Sequence, residues 1–236
     1  MKNIFVTGTD TGVGKTVITC GLAAFCSLRK GLDVGVMKPL EAGLTMHGKD
    51  LLPWDAIMLK EASGSQDDLS LINPYCFESP LAPQTAAELE HVRIDLEVLD
   101  RIYRQLAADH AILFIEGAGG VLVPILNNFF YADLIKRWGV RALVVARLGL
   151  GTINHTLLTC RYLKQEGIPI AGVILNDNEG KKDLAARTNP GMLARYLDAP
   201  FLGVFPHLDV PPQGLPDRAL LADLVERHID TRPLLA

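Results

Sequence analysis

The sequence predicts a single α/β domain: a doubly wound, mostly parallel β-sheet flanked by helices. Three observations lead to the sheet. Short runs rich in Val, Ile and Leu alternate with amphipathic segments from one end of the chain to the other. Those runs lack period-two polarity, as strands covered on both faces should. Repeated β–α–β succession then requires crossover helices, which lay the strands parallel in one sheet. The 236 residues show no internal repeat, low-complexity tract or composition shift, so one domain is expected over 1–236.

The first strand is expected over residues 3–7, then a helix over Lys15–Lys30 that Gly31 ends as a left-handed C-cap. Further strands are expected over 34–38, 111–115, 142–146, 171–175 and 201–205. Leu96, Leu99, Tyr103 and Leu106 recur at helical spacing behind Asp95, a candidate N-cap. A helix over 152–166 is expected to end at Gly167. Residues 206–216, with Pro206, Pro211, Pro212 and Pro216, read as irregular before a last helix over 218–228.

Composition excludes several function classes. Lys and Arg total 23 against 27 Asp and Glu, a net charge of −4 that offers no footprint for nucleic acid. No apolar run reaches the roughly 18 residues of a membrane span. The N-terminal apolar stretch breaks at Gly8, too early for a signal peptide, so a cytoplasmic protein is expected. The four cysteines form no CxxC and the six histidines no HExxH, so reduced thiols and no protein-only metal cage are expected.

Ligands of such sheets bind at the carboxyl ends of the strands, so the residues there carry most weight. After the first strand comes GTDTGVGKT, residues 8–16. Its backbone N–H groups can encircle phosphate oxygens at a helix N-terminus, with Lys15 on the β/γ-phosphates and the Thr16 hydroxyl on Mg²⁺. Five residues separate Gly8 from Gly14, one more than the usual pattern, and Thr9 stands where its first glycine would. Lys38, at the end of the second strand and fixed by Pro39, fits either a phosphate-facing cation or an ordinary solvated lysine. After the third strand Glu116 precedes Gly117, Ala118, Gly119 and Gly120. A carboxylate delivered there suits Mg²⁺, a hard cation that takes oxygen ligands, and the glycines permit close approach to a ligand. Asp55 alone reads as a first-turn helix acid. Asn176-Asp177-Asn178 alone reads as a turn, although its place also suits a nucleobase. Leu150 to Asn154 open a helix whose free N–H groups could seat a carboxylate.

Taken together, these elements closely resemble the dethiobiotin synthetase family. The carrying stretches are GTDTGVGKT, Lys38-Pro39, Trp54-Asp55-Ala56, SPLAP at 79–83, EGAGG at 116–120, GTINH at 151–155, Asn176-Asp177 and GVFP at 203–206. They stand in the family's order over nearly the whole chain. The resemblance implies ATP- and Mg²⁺-dependent carboxylation of 7,8-diaminononanoate by CO₂ or bicarbonate in a homodimer, through a carbamate and a carbamic–phosphoric anhydride. It implies that Gly12, Val13, Gly14, Lys15, Thr16 and Val17, with Gly117 to Gly119, hold nucleotide. It further implies Thr16, Asp55 and Glu116 as Mg²⁺ and ATP ligands, and Lys38 with Lys15 as catalytic cations. Asn176, Asp177, Pro206, His207 and Leu208 correspond to the adenine pocket. Thr11, Lys38 and the helix start Leu150, Gly151, Thr152, Ile153 and Asn154 correspond to substrate contacts, the helix start being contributed from the partner subunit. Ala42 stands where the family usually has Ser or Thr, and Gln84 where many relatives have His. Two rivals share the phosphate loop. An amidation synthetase of the cobyrinic-acid type would need a C-terminal glutaminase domain, for which the residues after Phe205 leave no room. A partitioning-type ATPase switch would place a lysine where Asp10 stands.

Overall fold

The computed structural model describes residues 3–47, 50–181, 183–208 and 217–235. Six parallel strands form the main sheet: β1 (Ile4–Gly8), β2 (Val34–Met37), β3 (Ile112–Gly120), β4 (Arg141–Arg147), β5 (Ile170–Asn176) and β6 (Phe201–Phe205). Their order across the sheet is β6-β5-β4-β1-β3-β2. The chain thus starts in the middle and winds outward in both directions, so the ends of β1, β3 and β4 lie side by side.

Alternate residues of each strand enter different cores. Ile4 and Val6 pack with α1 (Lys15–Lys30), α2 (Trp54–Ser63) and the last long helix, while Phe5 between them packs on the opposite face. Leu113 and Ile115 likewise oppose Ile112 and Phe114. Both faces being buried, the strands needed no polar alternation. The second face is covered by α4 (Leu96–Asp109), α5 (Tyr131–Trp138) and α6 (Thr152–Gln165), after the short α3 (Pro83–Leu89). A smaller cluster lies under α7 (Leu184–Tyr196), and α8 (Arg218–His228) packs against α1.

Most expected elements are present, with shifted ends. Asp95 caps α4 by accepting from the Glu97 amide, and Gly31 closes α1 in the left-handed region. The first strand runs one residue later than expected and takes in Gly8. The third departs most, continuing from Ile115 through Glu116 to Gly120. A charge and four small residues look like a strand's end by hydropathy. Here Glu116 is fully buried opposite Val6, and Gly120 pairs with Gly8 across an irregular register. Of the irregular stretch expected over 206–216, residues 206–208 carry no regular structure and 209–216 lie outside the described residues. No helix among the described residues is long and apolar enough to cross a membrane.

Candidate active site

All the predicted site segments leave the sheet at its carboxyl edge. Residues 9–14 form a loop between β1 and α1. Gly14 has φ +90, and a Cβ on it would collide with the Asn176 amide, so only glycine fits. Two asparagines, one ending β5 and one just after it, brace this loop: Asn176 Nδ2 donates to the Val13 carbonyl at 3.0 Å, and Asn178 Nδ2 to that of Gly12 at 3.2 Å. α1 then begins with Lys15 and Thr16, its N-terminal N–H groups opening toward the loop. Lys15 is buried and reaches the Asp10 carbonyl at 3.4 Å. Burial, aided by the neighbouring Lys38 charge, lowers its pKa to about 8. An arriving phosphate would reverse that shift by supplying an opposite charge.

Beside the loop lies a four-residue cluster. Lys38, 3% exposed, places Nζ 2.6 Å from Glu116 Oε1 and 2.8 Å from Asp55 Oδ2. Thr16 Oγ1 donates to the same Glu116 oxygen at 2.8 Å. Burial opposes the Lys38 charge, but Asp55, Glu116 and Glu41 outweigh it and hold the pKa above the ordinary lysine range. For Asp55, burial would raise the pKa, yet the Lys38 cation and the Thr16 hydroxyl keep it below the usual carboxylate value. The other Glu116 oxygen, Oε2, is buried without a hydrogen-bond partner. Such an orphan acceptor is costly unless a ligand meets it.

That orphan tests the fit of a divalent cation. Thr16, Asp55 and Glu116 present only oxygen donors, the chemistry Mg²⁺ prefers, and Asp55 is 37% exposed on the open side. Among the described residues no three His, Cys, Asp or Glu side chains form a metal group. A cation here would therefore share its coordination with phosphate and water oxygens, as Mg²⁺ commonly does. The residues fit Mg²⁺ carried in with a nucleotide.

The remaining predicted residues fall into three groups. Asn176, Asp177 and His207 adjoin one another: Asp177 Oδ1 accepts from the Gly180 amide at 2.9 Å, and His207 Nδ1 lies 3.1 Å from the Asp177 carbonyl. Pro206 and Leu208 flank His207, half-buried. Gly117 to Gly119 run up the end of β3, and Thr11 faces Gly119 across the loop mouth. The helix start 150–154 stands apart. Thr152 is buried and Leu150 is 85% exposed, and none of the five bonds to Lys15, Lys38, Asp55 or Glu116. Of these five, Leu150 lines a groove of about 310 Å³ with Arg147, Asp177 and Lys181.

Further partners of the cluster come from outside the sequence motifs. Glu41, 4% exposed, accepts from the amides of Asp55 and Ala56. Burial, then the Asp55 charge, pushes its pKa up to about 7. Asn73 donates to the Lys38 carbonyl at 2.7 Å. The signal for Glu41 was a lone acid three residues beyond Lys38 in an apolar stretch; for Asn73 there was none.

Residues 2–211 match a family described as an AAA domain. The ATP-dependent dethiobiotin synthetase BioD of Bacillus licheniformis is 43% identical over 209 residues, 89% of this chain and 87% of that protein. The protein of the same description from Bacillus velezensis is 38% identical, over 98% and 95% of the two chains. That from Thermodesulfovibrio yellowstonii is 41% identical over 86% and 88%. Among solved structures, the MinD cell division protein of Aquifex aeolicus superposes with TM-score 0.54 at 15% identity, covering 96% of each chain. A ParA family ATPase from Chlorobium tepidum gives 0.52 at 16% identity, over 99% of this chain and 94% of that one. At that identity the two structures speak for the P-loop NTPase fold alone.

Proposed function

The chain belongs to the ATP-dependent dethiobiotin synthetases of biotin biosynthesis, and we propose that it carboxylates 7,8-diaminononanoate and closes the ureido ring through a carbamate and a carbamic–phosphoric anhydride. The observation that supports this best is the buried Lys38 ammonium held by Asp55 and Glu116 against the phosphate loop.

The steps follow from the charges. One substrate amine adds to the carbon of CO₂ and loses a proton, leaving a carbamate. A carbamate oxygen attacks the γ-phosphorus and ADP departs. The second amine then attacks the carbonyl carbon, and phosphate leaves with that same oxygen. Two anions must therefore approach each other, and catalysis consists mostly of positioning and charge neutralisation.

Lys38 is placed for the carbamate and γ-phosphoryl oxygens. Its charge persists across the working pH range because the two carboxylates stabilise it. Lys15 and the N–H groups of residues 12–17 hold the β- and γ-phosphates. Thr16, Asp55 and Glu116 would hold Mg²⁺, which supplies Lewis-acid neutralisation of the phosphate oxygens when bound. Asn176 has Nδ2 committed to Val13, leaving its carbonyl oxygen for the adenine amine, with Asp177, Pro206, His207 and Leu208 around the base.

A homodimer supplies the missing end of the substrate site. The helix start 150–154 reaches no catalytic group of its own chain; Leu150 within it is exposed, as are Leu158 farther along α6 and Leu122, which shares a groove with Leu158. A partner copy burying those leucines would bring its own residues 150–154 to the carboxylate of the diamine bound near Thr11. The free thiols Cys20, Cys26, Cys76 and Cys160 and the demand for ATP suit a cytoplasmic enzyme.

Labelled bicarbonate, ATP, Mg²⁺ and the diamine provide the test. The proposal expects label in an acid-stable cyclic urea, matched by ADP formation. ADP release indifferent to the diamine would contradict it.

A further inference from the structure

Helix α2 carries Asp55 to the reaction centre, yet nothing local caps its first turn. The preceding residue is Pro53, which has no side-chain acceptor. The orphan amides are met from another strand segment: Glu41 Oε1 accepts from Asp55 N at 2.9 Å and Oε2 from Ala56 N at 3.1 Å. We propose that Glu41 is a positioning residue for the reaction centre, fixing the N-terminal end of α2 so that the Asp55 carboxylate meets Lys38 and the divalent cation. The inference rests on the role given above to Asp55.

The geometry argues for more than packing. Lys38 and Glu41 belong to one short stretch and act on the same residue, Lys38 on the Asp55 carboxylate and Glu41 on its amide. That stretch is itself anchored. Lys38 N donates to the Ile72 carbonyl at 2.7 Å, and Asn73 Nδ2 to the Lys38 carbonyl at 2.7 Å. Only a carboxylate offers two acceptors to two parallel N–H groups. An amide would turn its NH₂ toward one of them, and Asp would stop one methylene short. A buried anion at a helix N-terminus also complements the helix dipole.

The far end of α2 supplies a control. Arg218 Nε donates to the Ala62 carbonyl at 2.9 Å and Nη2 to that of Ser63 at 3.1 Å. Both ends of this ten-residue helix are thus held by long-range charged side chains, but only one of them is next to Asp55.

Mn²⁺ serves as the probe cation. Its affinity for the protein–ADP complex is measured by electron paramagnetic resonance in wild type, Glu41→Ala, Glu41→Gln, Asp55→Asn, Glu41→Ala/Asp55→Asn and Arg218→Gln. Steady-state kcat and KM are measured on the same proteins. Glu41→Ala should weaken Mn²⁺ by roughly 10- to 100-fold, as loss of an orienting partner does, and lower kcat more than it changes KM for the diamine. Glu41→Gln, which keeps one acceptor, should fall between wild type and Glu41→Ala. In the double variant the loss of Glu41 should add nothing, because the group it positions is already disabled. Arg218→Gln should lower Tm and leave Mn²⁺ affinity within about twofold. Multiplying effects of Glu41→Ala and Asp55→Asn would overturn the proposal, as would an Arg218→Gln loss equal to that of Glu41→Ala. If Asp55→Asn itself leaves Mn²⁺ affinity unchanged, the reading of Asp55 is what fails, and the role of Glu41 falls with it.

Discussion

At each edge of the sheet a nitrogen cation or its precursor lies between two carboxylates. At the carboxyl edge Lys38 contacts Asp55 and Glu116 at 2.8 and 2.6 Å. At the amino edge, before β2 and β3, His110 contacts Asp33 through Nδ1 at 3.0 Å and Asp67 through Nε2 at 2.9 Å. Chemically the two are close; in what they leave unsatisfied they differ. His110 has both ring nitrogens engaged and ties together three connecting segments over Gly35. The Lys38 cluster keeps an unpartnered Glu116 oxygen and an Asp55 open to solvent beside a phosphate loop. One arrangement is complete and belongs to the scaffold. The other leaves an acceptor and an open side that a ligand could meet.

Removing the cation at the carboxyl edge has the largest expected effect. Lys38→Met should lower kcat by about 10²–10³, the usual scale for one group aimed at developing charge. ADP affinity, measured by calorimetry, should change only a few-fold, since Lys15 and the loop amides remain. A normal rate with collapsed nucleotide affinity would assign Lys38 to binding instead. Next in size is Glu116→Gln, which removes the charge for the cation and leaves the shape. Turnover should drop roughly 10- to 100-fold, and raising Mg²⁺ should recover part of it in a titration of rate against metal.

These effects would be invisible at the amino edge. His110→Gln should leave kcat unchanged and cost about 1–3 kcal/mol of stability at pH 6, the range for hydrogen bonds to charged groups. The pH dependence has a definite sign. Burial lowers the His110 pKa, but the Asp33 and Asp67 carboxylates more than reverse this, so the folded value is raised. The protonated folded form is favoured, and its stabilisation is full below the unfolded value near ~6.5. It is lost as pH rises through the raised folded value. The Tm gap between wild type and His110→Gln should thus shrink from pH 6 toward pH 9, and a gap widening with pH would show the ring acting neutral. Smallest of all, Asp33→Asn should cost less than Asp67→Asn in urea unfolding, because Asp33 is 64% exposed against 17% for Asp67.

The comparison also shows what the chain reveals before it is folded. Residues 8–16 are legible as a phosphate-loop motif because the glycines, the lysine and the hydroxyl are contiguous in the sequence. Glu116 was legible as a strand-end acid, though β3 outran its apolar run since the ladder from Glu116 to Gly120 is set by pairing with β1. Lys38 read equally well as a solvated side chain. What settles it is contact with Asp55 and Glu116, 17 and 78 residues away, which no local pattern encodes. Glu41 and Asn73 escaped for the same reason: their partners are backbone atoms of other segments. His110 between its two aspartates was equally silent, each residue being unremarkable in its own loop.

The most direct measurement follows an oxygen atom. In a single turnover started with ¹⁸O-labelled CO₂, attack of the carbamate on ATP and later expulsion of phosphate should carry one labelled oxygen into inorganic phosphate. Phosphate should bear one ¹⁸O for each cyclic urea formed, detected by ³¹P resonance shift. Unlabelled phosphate accompanying the same yield of urea would contradict the proposed mechanism, because the ring would then close without a carbamic–phosphoric anhydride.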